Sequence, residues 1–279
     1  MMANTKLVQE KLGKGLLWVC AGITLAILFI ILAYVVKQGL AAVNWDFLTE
    51  MPKRRGRLGG IYPTIISTVY LMLLSVAIAT PVAVGAAIYL TEYTKDNWLT
   101  RLIRFGTESL AGIPSIIFGL FGYIFFVLYL DMGWSIISGA LTLAIMILPI
   151  LIRTTEESIK TVPISYREGS LALGATKWQT IQKVILPSAV PGIITGVILG
   201  MGRAVGETAA VMLTAGSALR IPETLFDNSR AMSVHLYLLS MEGVAIEKAY
   251  GTALVLIVFI LFINLATYVL LSRFAKKVS

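Results

Sequence analysis

From Gly15 to Val36 the chain carries no charged side chain. A helix of roughly 20 apolar residues crosses the hydrocarbon core of a bilayer, and runs of this kind recur along the sequence. The second lies between Gly60 and Glu92 and contains Pro81, which predicts a kinked or tilted helix. The third extends from Ser109 to Leu130, with Pro114 in its first turns. A tight turn at Asp131 separates it from the fourth, Met132 to Ile152. The fifth starts near Ser188 and passes two charged residues, Arg203 and Glu207, to about Gly216; the sixth covers Ala249 to Leu271. With 57% hydrophobic and 14% charged residues, a soluble domain is excluded. The expectation is an all-α, polytopic membrane protein with six transmembrane helices and both termini on one side.

The net charge of +8 points, in so apolar a chain, to basic loops beside a membrane rather than to nucleic acid. Lys6, Lys11 and Lys14 precede the first run as in a signal peptide, but that run exceeds the roughly 7–15 residues of a signal core, and more spans follow it. It reads as a retained anchor. With the N-terminus inside, the inner segments hold fourteen lysines and arginines, including Lys6, Lys95, Arg273, Lys276 and Lys277, against eight outside. This balance favours cytoplasmic N- and C-termini. The cluster KRRGR, Lys53 to Arg57, falls on the outer side and dissents. It reads as a solvated loop, or as a patch that draws in anions or docks a binding protein.

Cys20 is the only cysteine and His235 the only histidine. No internal disulfide, cysteine metal cluster or HExxH zinc site is available, and no catalytic set, metal or cofactor is called for.

The longest polar connection runs from Arg153 to Pro187. RTTEESIK, Arg153 to Lys160, extends the fourth helix into water, with Glu156 and Glu157 one turn before Lys160. Pro163 ends it, and Ser165 with Glu168 has the spacing of a capping box. A second helix is therefore expected from about Tyr166 to Lys183, with Leu171, Ala175, Trp178 and Ile181 sharing one face with Gly174. Pro187 and Pro191 are expected to turn the chain back into the membrane. Gly174 leaves room for close approach and Trp178 supplies an anchor of the kind found at interface centres. An amphipathic helix lying on the lipid surface fits the same pattern. Gly169 and Gly174 have P-loop spacing, but Ala175 and Thr176 follow and Lys177 arrives two positions late. The chain carries no Walker A loop.

EGSLALGATKWQTIQKVILP, Glu168 to Pro187, resembles the EAA loop of bacterial ABC-importer permeases through Glu168, Gly174, Leu186 and Pro187. Gly169 and Ser170 replace the usual two alanines. The resemblance implies a coupling helix held in a groove of a separate ATPase, with Glu168, Gly174, Ala175, Trp178, Leu186 and Pro187 as the coupling residues. ATP hydrolysis then belongs to a cytoplasmic ATPase dimer beneath two permeases. GRAVGETAA, Gly202 to Ala210, the stretch Gly59 to Tyr93, and LAGIPSIIFGLFG, Leu110 to Gly122, are similar to phosphate-importer permeases, the PstA-type subunit above all. This implies a type I permease fold in the bacterial inner membrane, a PstC-type sister permease and an extracytoplasmic phosphate-binding protein. Residues 1–60 would form an anchor helix with an outer loop, and residues 61–279 the permease core with its coupling loop at 153–187.

Arg203, Glu207 and Thr208 are the candidate substrate-path residues. A charge at bilayer depth costs about 2.5–3.5 kcal/mol on insertion scales and so faces a cavity or a partner. Arg203 and Glu207, four apart, are expected on one helix face as a neutralising pair, either a structural weld between spans or a transient phosphate site. Gly192, Gly196 and Gly200 form a small-residue stripe for close helix contact, with the partner helix left open. Asn264 is expected to hydrogen-bond between helices, and His235 to be an ordinary loop-helix residue rather than a ligand. A permease for phosphonate and a self-sufficient secondary anion transporter are the alternatives.

Overall fold

A computed structural model describes the backbone of residues 2–94, 97–243 and 245–278, and side chains within 11–269. Lys6, Lys95, Arg273, Lys276 and Lys277 lie outside the described side chains. Helix α1 (Met2–Ala42) leads through α2 (Trp45–Thr49) to a two-stranded hairpin, β1 (Pro52–Lys53) and β2 (Leu58–Gly59). Then come α3 (Tyr62–Ile88), α4 (Trp98–Ala111), α5 (Ser115–Gly122) and α6 (Ile136–Lys160). After α6 come α7 (Ile164–Ala172) and α8 (Lys177–Thr180), followed by α9 (Leu186–Gly206) and α10 (Ala209–Thr214). Helices α11 (Met232–Glu242) and α12 (Ile246–Val278) complete the chain. Wider-wound segments at Tyr89–Tyr93, Tyr123–Tyr129 and Ile181–Ile185 extend α3 and α5 and join α8 to α9.

Five helical stretches are long and apolar enough to cross a membrane: Gly13–Ala42, Tyr62–Tyr93, Ile136–Lys160, Lys177–Gly206 and Ile246–Val269. The sixth is a bent pair, Trp98–Ala111 with Ser115–Tyr129, at 100°. The expected third span from Ser109 is thus corrected. Ser109 lies in the last turn of α4, and the helix resumes only beyond Pro114, whose ring disfavours a helical conformation at Ile113. Helix α4 is instead strongly amphipathic, with Arg101, Arg104 and Glu108 among exposed Trp98, Phe105 and Leu110.

Helix α6 is the centre of the bundle, clasped between α3 and α9. Along α3, Ser67, Leu71, Ser75, Ala79, Ala83 and Ala87 recur every fourth residue and are all buried. This row of mostly small side chains brings the backbones together, which is how helices associate where lipid removes the hydrophobic incentive. The glycine stripe of α9 does the same on the other side of α6. Gly192 lies against Ser158, Gly196 against Thr154, and Gly200 against Ile147 and Leu151. The stripe's partner is therefore the chain's own α6. Leu143, Ile147, Leu151 and Val211 fill the space between. By contrast, α1 is wholly exposed over its spanning window, with Trp18 79% accessible. Such an apolar surface belongs in lipid or against another subunit. Asn264 has no hydrogen-bond partner within the chain among the described residues.

The fifth span departs from expectation at both ends. Pro187 and Pro191 do not reverse the chain; both lie inside one helical run that begins at Lys177. Pro187 sits in the first turn of α9, where its missing N–H costs little. At the far end α9 stops at Gly206, and Glu207 is extended at φ −74°, ψ 128° before α10.

Candidate translocation path and coupling loop

Because α6 and α9 are antiparallel and matched at 158 with 192 and 154 with 196, Arg203 stands near the level of Ile147 and Ile150. Side chains tilt toward the N-terminal end of their helix, so Arg203 leans back toward the coupling-loop end. There it lines a cavity of about 610 Å³ together with Arg104 and Glu108 of α4 and Arg153, Glu156, Glu157 and Lys160 of α6. Pro149 and Leu90 supply part of its apolar wall.

Two of the three carboxylates that line this cavity, Glu156 and Glu157, are already engaged. Glu156 accepts from Arg104 at 2.8 Å and from Lys160 at 2.6 Å, while Glu157 accepts from Arg153 at 3.2 Å. Arg203 has no carboxylate partner among the described residues, and Arg104 Nε is buried without one. Arg203 thus offers the cavity guanidinium donors that no carboxylate holds, groups suited to a planar or tetrahedral oxyanion. Arg104, Arg153 and Glu156, read in the sequence only as loop charges, join Arg203 through folding alone. The hydrophobic face of α4 was the signal that could have placed Arg104 against α6.

The expected Arg203–Glu207 pair does not form. Gly206 ends the helix, so the i,i+4 geometry is lost. Glu207 turns instead to α10, where its Oε1 accepts from the Ala210 N–H at 3.4 Å. Its carbonyl accepts from the Ser233 hydroxyl of α11 at 2.7 Å, and the Thr208 carbonyl accepts from the Met212 N–H at 2.9 Å. A break in a membrane helix is tolerated where protein satisfies the freed groups, and α11 does that here. Glu207 and Thr208 line the break; only Arg203 of the three candidates reaches the cavity.

The coupling segment is also corrected. One helix from Tyr166 to Lys183 was expected; the chain forms α7 and α8, broken at Gly174 with φ 84°. This left-handed value suits glycine, and open space surrounds Gly174. The Ser165–Glu168 capping box is absent, because α7 starts at Ile164 after Pro163. The box forms instead at Thr176 with Gln179, opening α8. The T-x-x-Q spacing was present in the sequence. The break splits the expected shared face: Ile181 is fully buried, whereas Leu171 and Trp178 are each half exposed. Glu168 is exposed and Ala175 partly so, while Leu186 and Pro187 lie on the first turn of α9.

The KRRGR cluster forms the tip of the β1–β2 hairpin, with Lys53, Arg54, Arg55 and Arg57 exposed. Arg54 and Arg55 are left-handed at φ 49° and 60°. Buried Gly56 packs against His235 of α11. His235 is fully buried and serves packing.

A bundle of membrane spans beside a charged, partly open cavity, with a structured polar segment between two of the spans, fits the class of transport permeases. Residues 79–279 match the family described as "Binding-protein-dependent transport system inner membrane component", and the chain belongs to that family. It is 34% identical to the Bacillus subtilis (strain 168) "Probable ABC transporter permease protein YqgI", over 98% of both chains. It is 32% identical to the "Phosphate transport system permease protein PstA" of Xylella fastidiosa (strain Temecula1), covering 85% of this chain and 84% of that one. The corresponding "PstA 1" of Mycobacterium tuberculosis (strain H37Rv) is 34% identical over 75% of this chain and 68% of its own. Among solved structures, the fold is similar to the MetNI methionine ABC transporter, at TM-score 0.66 and 16% identity over 77% of this chain and 95% of that one. It is equally similar to a bacterial alginate ABC importer, at TM-score 0.66 and 15% identity over 92% and 96%.

Proposed function

We propose that this chain is the PstA-type permease subunit of an ATP-driven importer of inorganic phosphate. The observation that carries the reading is the cavity in which Arg203 offers donors that no carboxylate occupies. Relatives named as phosphate permeases support the cargo. In this reading phosphate enters past the Glu207–Thr208 break, meets Arg203 and leaves beside Arg153 and Arg104. Glu156 and Glu157 hold the neighbouring cations and keep the site from binding the anion too tightly to release it.

The segment from Arg153 to Pro187 is then cytoplasmic, as are both termini. Glu168, Gly174, Ala175, Trp178, Leu186 and Pro187 present the coupling turn to an ATPase dimer, which hydrolyses ATP for a chain that has no P-loop. A PstC-type sister permease completes the path, and an extracytoplasmic phosphate-binding protein delivers the anion. Residues 1–60 act as anchor and outer loop, and 61–279 as the permease core. The test is reconstitution of the complex with its binding protein in liposomes. ATP-dependent uptake of labelled phosphate, competed by phosphate and not by phosphonate, is expected; uptake by this chain alone would instead support a secondary transporter.

A further inference from the structure

The two ends of the coupling turn are tied to one acidic residue on another span. Arg167 of α7 reaches Glu92, in the wider-wound end of the second span, with Nε and Nη2 at 3.2 and 3.1 Å from Oε1. The same guanidinium donates to the carbonyls of Val162 at 2.6 Å and Ile159 at 2.8 Å, so it also clamps the end of α6. From the other side of Gly174, Lys177 Nζ donates to the Glu92 carbonyl and sits 4.9 Å from the centre of the Tyr93 ring. Ser170 and Thr180 are hydrogen-bonded at 2.9 Å across the turn, closing it into one unit.

The Glu92 and Arg167 side chains are only 11% and 22% exposed. An ion pair so placed is screened little by salt, and loss of one partner leaves the other in a poor solvent. Two residues before Glu92, buried Leu90 lines the charged cavity. Segments wound more widely than an α-helix recur at functional sites.

We infer that Glu92 is the positioning residue through which the coupling turn moves the second span and, with it, the cavity wall. Displacement of the turn pulls Arg167 and Lys177 together, both pull Glu92, and Leu90 follows. The inference rests on the coupling reading above but not on the identity of the cargo.

The test uses the whole complex with its ATPase. In a Cys20→Ser, Thr107→Cys background, maleimide labelling of the cavity-lining position 107 is timed with and without a non-hydrolysable ATP analogue. A nucleotide-dependent change of about fivefold or more is expected, the lower range of allosteric coupling. Glu92→Gln, which weakens the Arg167 link and leaves Lys177 on the backbone carbonyl, should cut that change by about half or more, while the ATPase stays bound and still hydrolyses ATP. Glu92→Asp, which keeps the charge, should retain part of the change. Arg167→Gln, which also frees the Val162 and Ile159 carbonyls, should lose at least as much, and the double variant should be no worse than Arg167→Gln, because the Glu92 contact is already gone. Full nucleotide response in Glu92→Gln overturns the inference alone. Loss of the ATPase from both position-92 variants overturns it too, making Glu92 an assembly residue. A background that never responds to nucleotide overturns the coupling reading together with the inference.

Discussion

Gly192 of α9 faces Ser158 of α6 so closely that any β-carbon there would overlap the Ser158 hydroxyl, which itself donates to the Ala189 carbonyl at 2.9 Å. The hydroxyl fills the groove that the glycine leaves, and the hydrogen bond fixes the register of the two spans. Thr154 repeats the contact one turn along, at Gly196.

Gly192→Val should therefore separate α6 from α9, with a destabilisation of about 1–3 kcal/mol, the range of an overpacked interface. Gly202, ten residues on, has open space around it. Gly202→Ala should be neutral or stabilising by up to about 1 kcal/mol, because alanine loses less entropy in a helix. Thermal denaturation of the two purified variants in detergent checks both. Equal melting temperatures would place the stripe outside the α6–α9 contact.

The spans were legible because uncharged runs and the bilayer's thickness leave few other solutions. The turn at Asp131 was legible too, and that residue is left-handed at φ 51°. What escaped were the helix breaks. Gly206 and Gly174 each end a helix in a sequence whose apolar period continues across them, and periodicity says nothing of φ. The path itself was half legible. Arg203 stood out because a lone charge in an apolar run is conspicuous, whereas Arg104 and Arg153 looked like ordinary loop charges. Only tertiary packing shows that α4 stands at 100° to the following helical segment and lays Arg104 against Glu156.

At the coupling turn, the left-handed Gly174 has space but not conformational tolerance. Gly174→Ala should strain the turn by about 1 kcal/mol and lower phosphate uptake per ATP. Gly174→Asp should abolish coupled uptake, since its carboxylate would be desolvated against the ATPase. Normal uptake by Gly174→Asp, with the ATPase co-purifying at unchanged yield, would show the coupling assignment to be wrong.

Topology is open to single-cysteine labelling in intact cells after Cys20→Ser. Gln179→Cys marks the coupling turn, and Leu58→Cys marks the hairpin; Leu58 is 48% exposed, whereas Gly56 is buried. A membrane-impermeant maleimide should label position 58 and spare 179. The opposite pattern would invert the orientation.

His235 of α11, packed against Gly56 of the hairpin, gives the fold a pH dependence. Burial first, then the charges of Arg230 and Lys248, lower its pKa from 6.5 to about 4. Between those values the unfolded chain takes up a proton that the folded chain refuses. Folding stability should fall with falling pH across this window, by up to about 1.4 kcal/mol per unit, with no contribution above pH 6.5. His235→Asn should lose less melting temperature than the parent between pH 7.5 and pH 5. An identical loss would mean that His235 titrates as it does in water.

The central claim, that an oxyanion passes Arg203, is tested most directly by labelled-phosphate uptake in liposomes holding the Arg203→Gln complex. Assembly and basal ATP hydrolysis are measured on the same sample. Arg203→Gln should assemble, retain its ATPase and lose nearly all uptake. Arg203→Lys should keep a small fraction, because an ammonium retains the charge without the two-point geometry. Since Glu207 is turned to α10 rather than to Arg203, adding Glu207→Gln should not restore transport. Normal uptake by the assembled Arg203→Gln complex would contradict the account, and failure to assemble would make Arg203 a structural residue.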